Sequence, residues 1–465
     1  MSTSALATSN ITSGFIDLAT YDEQEKYMYG GEDATAYFVR ETRKSTWFTQ
    51  VPVNLSRSSG SPDFNQEWSV NISRAGDYLL YSWLRVTFPS IQLSDSNVFG
   101  PDGVMRYTRN LMHALIRECV ISFNDLAAAR FDNYHLDFWA AFTVPAGKFN
   151  GYNNMIGNID DLTSPRGPTE AFESFTLNLP LPFFFSRDSG VALPTAAIPY
   201  NDMRIMFSFR NFTDLLILDN SDENDQSAGR PITAADLVGG APTLGPVQVW
   251  ANYAIVSSEE RKRMACAPRD ILIEQVQTAP VQTFAPVTVP NPSYDIRLSH
   301  AIKALFFAVR NKTNAAEWSN YTSASPVVNG EKKVQFNPSG ALDPILQTSL
   351  IYESTSRLSQ MGSDFFSLVQ PYFHAPVIPA TTGYHMYSYS LDFICLDPMG
   401  STNYGKLTNV SVAPEASAAA IFNANSANND WAAGHATPQL FEFVLTAVNN
   451  NIIRISGGAL GFPVL

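Results

Sequence analysis

The sequence is poor in charged residues, and it has no long apolar run. Charged residues make up 16% of the 465 residues, well below the roughly 25% that is usual in soluble proteins. A surface with few charges is expected when neighbouring molecules cover much of it. The longest apolar run, Ala301 to Val309, contains Lys303 and is far shorter than the roughly 18 residues that span a membrane as a helix. The sequence therefore predicts a soluble protein with a tendency to assemble, and any membrane contact would be indirect.

Cysteine is also scarce, which excludes a disulfide framework. The three cysteines, Cys119, Cys266 and Cys395, are far apart and form no C-x-x-C pair, so a reducing cytoplasm is predicted. The N-terminus, MSTSALATSNITSG, lacks the basic and apolar regions of a signal peptide. Because residue 2 is Ser, it also lacks the myristoylation pattern.

Basic clusters are missing as well. The net charge is −13, and the longest basic run is Arg261 to Arg263. Proteins that bind nucleic acid directly carry clustered Lys and Arg that neutralise phosphates. Direct binding of a genome is therefore not expected.

Catalytic and metal-binding motifs are absent from the sequence. The six histidines form no H-x-H or H-E-x-x-H pattern, and there is no G-x-S-x-G or phosphate-binding glycine loop. His135-x-Asp137 is the nearest approach to a ligand pair, but a helix cap or a surface contact is the favoured interpretation. The cluster Gly457 to Gly461 is interpreted as a structural turn. We predict no catalytic residue, no metal site and no cofactor.

One enzymatic alternative stays open on fold alone. A glycosidase needs two carboxylates at a set separation, and sequence cannot identify such a pair among 43 acidic residues. Since β-sandwich folds also include glycosidases and lectins, a carbohydrate-active protein is the alternative function.

Seven N-x-[ST] sequons occur, at Asn10, Asn54, Asn71, Asn211, Asn311, Asn320 and Asn409. In a chain rich in Asn, Ser and Thr this number is close to chance, so the unmodified state is favoured. Asn311 and Asn320 are the two sites predicted to lie in exposed loops, and they are the candidates for N-glycosylation.

Residues 179–209, LPLPFFFSRDSGVALPTAAIPYNDMRIMFSF, show the pattern of two strands joined by a wide crossing. Prolines flank a run of three phenylalanines that is too short for a helix. From Met203 to Phe209 apolar residues alternate with mostly polar ones, which is the period of a half-buried strand. In Asp77–Phe88 both faces are apolar, which predicts a central strand that is covered on both sides. Further strands are predicted at Thr35–Arg40, Trp47–Leu55, Trp68–Ser73, Val247–Val256, Asp270–Thr278, Tyr294–Leu298, Ala301–Arg310, Ser349–Glu353, Tyr384–Phe393, Gly405–Val412, Leu440–Val448 and Ile452–Ser456.

Two successive sets of short strands predict two sandwiches in tandem. The predicted division is an N-terminal arm and short helix (1–30), a first sandwich (31–256), a linker (257–268) and a second sandwich (269–465). The linker resembles a short helix with Ser257 at its N-cap and acidic residues in its first turn. Residues 1–17 are predicted to be extended, and residues 17–29 to form the short helix. The stretch 370–384, QPYFHAPVIPATTGY, faintly echoes the proline-rich crossing of the first half.

Several blocks resemble the major capsid proteins of nucleocytoplasmic large DNA viruses, and the iridovirus group in particular. They occur in the same order along nearly the whole chain. The blocks are SGFIDLATYDE (13–23), AYFVRETRKSTWFTQVP (36–52), SRAGDYLLYSWLRV (73–86), PLPFFFSRDSG with the following ALP and PYN (180–201), DPMGSTNYGKLTN (397–409) and NNNIIRISGGALGFPVL (449–465).

The resemblance implies an all-β double jelly roll, made of two tandem eight-stranded antiparallel sandwiches with a few short helices in loops. It implies a structural subunit, not an enzyme, that forms pseudo-hexagonal homotrimeric capsomers. These capsomers tile an icosahedral shell over an internal membrane. The implied partners are neighbouring capsomers and minor capsid proteins, including penton and cement proteins, with indirect membrane contact. The virion is the implied location, with assembly in the host cytoplasm. Outward loops are expected at 146–176, 219–246, 311–345 and 413–438, and the N-terminal arm is expected on the inner side.

Overall fold

The structure is a computed structural model that describes residues 3–222, 229–323, 327–328, 331–332, 343–428 and 438–462. Residue contacts divide the chain into two units, residues 1–47 and residues 48–465. The first unit contains two helices followed by irregular chain, whereas the second unit consists mainly of antiparallel strands.

The first unit contains two helices, α1 (Thr3–Ala19) and α2 (Glu23–Met28). Asp22 begins α2 because its carboxylate accepts hydrogen bonds from two backbone N–H groups of the first turn, one of them that of Glu25. The Glu25 carboxylate in turn accepts a hydrogen bond from the backbone N–H of Asp22. This capping box satisfies donors that the start of a helix otherwise leaves free.

Two predictions for this unit are wrong. Most of the arm predicted to be extended is helical in α1, where Ile11, Phe15 and Leu18 recur at helical spacing. Residues 35–40 form no strand. Phe38 is fully exposed there, and a strand needs a hydrogen-bonded neighbour that these residues lack.

The second unit begins with the strands of the first sandwich. They are β1 (Phe48–Asn54), β2 (Arg57–Gly60), β3 (Glu67–Asn71), β4 (Tyr78–Phe88), β5 (Gly103–Tyr107), β6 (Ile116–Phe123), β7 (Leu126–Phe131), β8 (Phe175–Pro180), β9 (Met203–Phe209), β10 (Leu216–Asn220), β11 (Arg230–Pro231) and β12 (Val247–Val256). The helices among them are α3 (Leu111–Leu115), α4 (Asn133–Thr143), α5 (Ala146–Ile156) and α6 (Asp160–Thr163), and α7 (Ser258–Cys266) follows.

Eight of these strands build a jelly roll. One sheet has the order β1-β12-β4-β8, and the opposite sheet has the order β3-β9-β6-β7 with β2 at its edge. When these eight strands are renumbered 1 to 8 in chain order, the strand orders of the two sheets are 1-8-3-6 and 2-7-4-5. The other strands, β5, β10 and β11, form a small sheet in the connecting loops.

The core of this sandwich lies between the inner faces of its two sheets. Leu84, Val86 and Phe88 of β4 are fully buried, and Ile205 and Phe207 of β9 are buried to within 1%. Burial of each such side chain contributes about 1.5–3 kcal/mol. The alternation predicted for Met203–Phe209 is therefore confirmed as a half-buried strand.

The second sandwich follows α7. Its strands are β13 (Arg269–Thr278), β14 (Gln282–Phe284), β15 (Tyr294–Asp295), β16 (Ala301–Asn311), β17 (Val327–Val328), β18 (Glu331–Lys332), β19 (Ile345–Tyr352), β20 (Thr355–Gly362), β21 (His385–Ser388), β22 (Thr402–Asn403), β23 (Val410–Ala416), β24 (Phe441–Ser456) and β25 (Ala459–Gly461). A π-helix (Phe365–Val369) continues directly into α8 (Gln370–His374), and α9 is Ala418–Ala424.

The topology of the first sandwich recurs in the second. Its sheets have the orders β13-β24-β16-β21 and β15-β23-β19-β20, which again read 1-8-3-6 and 2-7-4-5 along the chain. The neighbouring strands in both sandwiches are antiparallel. The predicted double jelly roll is therefore confirmed.

Several local predictions change. The strands predicted on either side of Asn449–Asn451 are one strand, β24, because these asparagines pair with β13 instead of turning. The outward loop predicted at 146–176 holds α5 and α6. Parts of the other three predicted loops, 223–228, 324–326, 329–330, 333–342 and 429–437, lie outside the described residues. The echo at 370–384 is not a positional repeat: it precedes the sixth strand of its sandwich, whereas its counterpart follows the sixth strand.

Candidate assembly surface

The two sandwiches meet where α4 packs on a sheet of the second one. Asp132 caps α4 by accepting a hydrogen bond from the backbone N–H of His135 at 3.0 Å, and Leu136 anchors the helix in the first core. On the opposite side of the helix, the rings of Phe138 and Phe142 lie 6.1 and 5.5 Å from the ring of Phe306. The contact joins Tyr134, Phe138 and Phe142 to Ala304, Phe306, Ala308, Met386, Val444 and Val448. A helix of one sandwich thus covers the outer face of the 1-8-3-6 sheet of the other.

Asp137 of α4 is the centre of a buried polar network across this contact. Its carboxylate accepts hydrogen bonds from the hydroxyls of Ser319 and Tyr321 at 2.9 and 2.8 Å. It also lies 2.7 Å from Nδ1 of His113, whose Nε2 lies 2.7 Å from the hydroxyl of Tyr152. Since a buried carboxylate is costly without partners, these bonds fix how the two sandwiches dock.

Trp318 is held between two guanidinium groups, one from each sandwich. The Cζ atoms of Arg210 and Arg310 lie 3.7 and 4.0 Å from the centre of its ring. Arg310 donates a hydrogen bond to Glu442 at 2.6 Å, and the Arg210 guanidinium donates to the carbonyls of the strand start at residues 114–116. Burial lowers the pKa of Arg210 to about 10. The stacked arrangement keeps both cations partnered inside the molecule.

Among the described residues of the second unit, the outer face of the equivalent sheet in the first sandwich is only partly covered. In β4, Tyr81 is 47% exposed, and Trp83 stacks on Trp250 of β12 with ring centres 6.3 Å apart. Tyr81 and Trp83 are 6.0 Å apart, so the three rings form one aromatic strip. The prediction that both faces of this strand are covered is therefore wrong for the single chain, although β4 is central in its sheet.

A second apolar surface lies between β20 and β21, on the π-helix and α8. Phe366 and Pro371 point inward and are buried. On the outer side, Tyr372 and Phe373 are each 71% exposed, and Leu368 is 52% exposed. The rings of Tyr372 and Phe373 contact each other edge to face, with centres 5.0 Å apart. Monomeric soluble proteins rarely expose such contiguous apolar groups without a partner.

A Ser–His–Asp cluster in the second sandwich does not have the geometry of a catalytic triad. The carboxylate of Asp343 and the hydroxyl of Ser363 both approach the same nitrogen of His385, Nε2, at 2.7 and 2.5 Å. A triad needs the acid on one ring nitrogen and the nucleophile on the other, but Nδ1 of His385 is buried and has no hydrogen-bond partner among the described residues. Burial raises the pKa of Asp343, yet the charge and hydrogen bond of His385 outweigh it, so that pKa is lowered.

The two residues of the predicted ligand pair do not act together. The ring of His135 packs against that of Trp139, whereas Asp137 accepts the hydrogen bonds of the polar network. Across the described ranges, no group of three or more His, Cys, Asp or Glu residues is placed to hold a metal ion. In the same part of the chain, no helix is long and apolar enough to cross a membrane.

The two candidate glycosylation sites differ in their surroundings. Asn311 ends β16 and is 4% exposed. Its side-chain N–H donates to the carbonyl of Thr322 at 3.1 Å, so the exposed loop predicted for Asn311 is wrong. Asn320 is half-buried, and its side-chain oxygen accepts hydrogen bonds from the backbone and hydroxyl of Thr322. Glycosylation of either residue stays a prediction.

Comparisons with known proteins account for this architecture. A family model for the major capsid protein N-terminus matches residues 36–256, and a model for the large eukaryotic DNA virus major capsid protein matches residues 260–461. The major capsid protein of Costelytra zealandica iridescent virus is 64% identical over 467 residues, covering 99% of this chain and 100% of that protein. That of Tipula iridescent virus is 65% identical and covers 98% of each. The chain belongs to the major capsid protein family of large eukaryotic DNA viruses.

Solved structures of viral capsids share the capsid-protein fold. A chain of the PBCV-1 virus capsid superposes with a TM-score of 0.70 at 19% identity, covering 92% of this chain and 100% of that one. The Faustovirus major capsid protein superposes with a TM-score of 0.69 at 12% identity, covering 91% and 93%. A more distant relative in sequence, the major capsid protein of Rana tigrina ranavirus, is 44% identical and covers 99% of this chain and 100% of that protein. The resemblance found in the sequence blocks is confirmed.

The exposed apolar surfaces were not identified from the sequence. The aromatic residues of the uncovered sheet and of α8 look like ordinary core residues in a strand and a short helix. One signal was available in the apolar residues on both faces of Asp77–Phe88, which require a cover on each side. Among the described residues, one of those faces is buried and the other is partly exposed.

Proposed function

We propose that the chain is the structural subunit of a homotrimeric capsomer with a pseudo-hexagonal outline. The observation that carries this proposal is the recurrence of one jelly-roll topology in both halves of the chain. Three copies supply six similar sandwiches, and a ring of six can tile a surface that a simple three-fold trimer does not fill. The two exposed apolar surfaces supply the contacts that such an association needs.

The capsomers pack into an icosahedral shell over an internal membrane, in the virion, after assembly in the host cytoplasm. Contacts within the trimer are obligate and have an apolar core, whereas contacts between capsomers and with penton, cement and other minor proteins are weaker and more polar. Weak repeated contacts let a misplaced capsomer leave, while their number stabilises the closed shell. The role is structural and not enzymatic, and the His385 cluster, with both partners on one nitrogen, is consistent with that role.

The proposed division of the chain is an arm with a short helix (1–30), a first jelly roll (31–256), a linker (257–268) and a second jelly roll (269–465). Support for the linker comes from α7, which lies between β12 and β13 with Ser257 at its N-cap. The two family models also stop and start on either side of residues 257–259. The arm faces the inside of the shell and meets minor proteins there, and Asn320 is the better placed of the two glycosylation candidates.

Light scattering coupled to size-exclusion chromatography tests this function directly. A recombinant chain of 51.2 kDa is expected to elute with three times that molar mass and to show hexagonal outlines in negative stain. A monomer at every concentration would contradict the capsomer proposal. A glycan-binding screen on the same sample would then test the carbohydrate-active alternative.

A further inference from the structure

The two exposed apolar surfaces are topological counterparts of the two surfaces that already pack together inside the chain. Inside the chain, the cover is α4, which lies between the fifth and sixth strands of the first sandwich, β7 and β8. The surface that it covers is the outer face of the 1-8-3-6 sheet of the second sandwich.

The second sandwich has its own segment between its fifth and sixth strands, β20 and β21. This segment is the π-helix with α8, and its outer side chains are exposed. The first sandwich has its own 1-8-3-6 sheet, and the outer face of that sheet carries the aromatic strip, in which Tyr81 is exposed and Trp83 and Trp250 are half-buried. Each sandwich therefore has one such segment and one such sheet face, and among the described residues one segment covers one face.

The chemistry of the free pair matches that of the contact already made. Within the chain, Phe306 of the third strand receives the rings of Phe138 and Phe142. In the first sandwich, Trp83 of the third strand is the aromatic residue on the corresponding face, and it pairs directly with Trp250. On α8, Tyr372 and Phe373 supply the two aromatic rings of the cover. Both contacts thus place helical aromatic side chains on an aromatic residue of the third strand.

The positions along the two covering segments also agree. On α4, the covering side chains Tyr134, Phe138 and Phe142 recur every four residues, while Leu136 anchors the helix in its own core. In the second sandwich, Leu368 and Tyr372 also recur at four residues on the exposed side. Phe366 anchors that segment in its own core, with its ring 5.2 Å from that of Phe307.

We propose that the surface formed by Leu368, Val369, Tyr372 and Phe373 of one copy covers the aromatic strip of Tyr81, Trp83 and Trp250 on a second copy of this chain. The inference rests on the proposed capsomer and names the contact that closes it. Since the two surfaces differ, the contact is heterologous and runs head to tail, and it forms a ring only if the rotation closes. The internal contact alternates with the intermolecular one, so that three copies give a ring of six sandwiches.

Site-directed crosslinking tests the contact. The exposed Cys266 and the half-buried Cys395 are first replaced by Ser, while the buried Cys119 is retained. Tyr81→Cys and Phe373→Cys are then introduced singly and together, and the purified protein is treated with a short bismaleimide. The double variant is expected to give covalent dimers and trimers and nothing larger. Each single variant is expected to stay uncrosslinked. In a head-to-tail contact, residue 81 of one copy lies next to residue 373 of the neighbouring copy and not next to residue 81 of that copy.

Two further samples sharpen the test. Replacing Tyr81→Cys by Leu126→Cys, at a 48% exposed position at the start of β7, is expected to abolish the crosslink with Phe373→Cys. Independently, Phe373→Asp is expected to raise the subunit concentration at which capsomers dissociate by at least about tenfold, as for an interface hot spot. Val98→Asp, at a 70% exposed loop residue, is expected to leave that concentration unchanged.

The outcomes separate the contact from the capsomer itself. Trimers by light scattering together with a crosslink through residues 81 and 373 support both. Trimers without this crosslink, or with equal crosslinking from Leu126→Cys, overturn the contact and leave the capsomer standing. A parent chain that stays monomeric overturns the capsomer and the contact together.

Discussion

The stability of the second unit is expected to fall between pH 7 and pH 5 because of a single buried histidine. His135 of α4 is 2% exposed, and its ring packs against those of Trp139 and Phe131 at 5.7 and 6.4 Å. Burial, with a smaller contribution from the positive charge of Arg187, lowers the pKa of His135 to about 3 from 6.5. The folded protein therefore keeps this ring neutral at pH values where the unfolded chain protonates it.

The sign and size of this change in the free energy of unfolding follow from proton linkage. Between the two pKa values the unfolded state binds a proton that the folded state does not, so the free energy of unfolding decreases as the pH falls. Protonation of this ring in the unfolded chain lowers the free energy of unfolding only below about pH 6.5, and the loss grows progressively down to about pH 3. Because the ring has a pKa of 6.5 in the unfolded chain, pH 5 lies about 1.5 pH units below that value. At 1.36 kcal/mol per unit, this group costs about 2 kcal/mol.

Chemical denaturation at fixed subunit concentration, at pH 7, 6 and 5, measures this effect. The parent chain is compared with His135→Leu and His135→Asn, one apolar and one polar replacement that both lack a titrating ring. The parent should lose about 2 kcal/mol more than either variant between pH 7 and pH 5. Parallel pH profiles for all three proteins would refute the assignment of the pH dependence to this residue.

Three further changes have expected outcomes. Phe138→Ala removes a fully buried ring from the contact between the sandwiches and should lower the free energy of unfolding by about 3–5 kcal/mol, whereas Phe149→Ala, at a 36% exposed position, should change it far less. Lys303→Met leaves the buried carboxylate of Glu274 without one of its two cations and should cost about 3–5 kcal/mol. Deletion of residues 1–16 should leave trimers intact but impair shell formation.

Each of these has a direct measurement and a contrary result. Denaturation midpoints report the two substitutions, and the control for Lys303→Met is Lys312→Met, whose ammonium is 51% exposed beside Glu442 and should contribute less than about 1 kcal/mol. If a substitution and its control lowered the free energy of unfolding equally, burial of the replaced side chain would not explain the loss. For the deletion, light scattering and electron microscopy follow trimers and shells, and loss of trimers would contradict the proposed role of the arm.

The polar network at Asp137 shows what local patterns leave unspecified. Asp137 lies in α4, a local element that follows α3, β6 and β7 along the chain. The sequence does not show that Ser319 and Tyr321, more than 180 residues further along the chain, donate to this carboxylate. Local spacing specifies an element, whereas the partner across a contact depends on how distant elements dock.

The sequence by itself determined the class of fold, the tandem arrangement and the family. Alternating strands such as Met203–Phe209, the short helix that begins after Ser257 and the ordered capsid blocks are local properties, so they can be recognised without coordinates. Only the tertiary structure decided which apolar faces the chain buries. Phe306 and Trp83 both lie on third strands of a jelly roll, but α4 covers only Phe306. A hydrophobic pattern predicts that a face is buried. It does not predict whether the element that buries the face belongs to the same molecule or to another one.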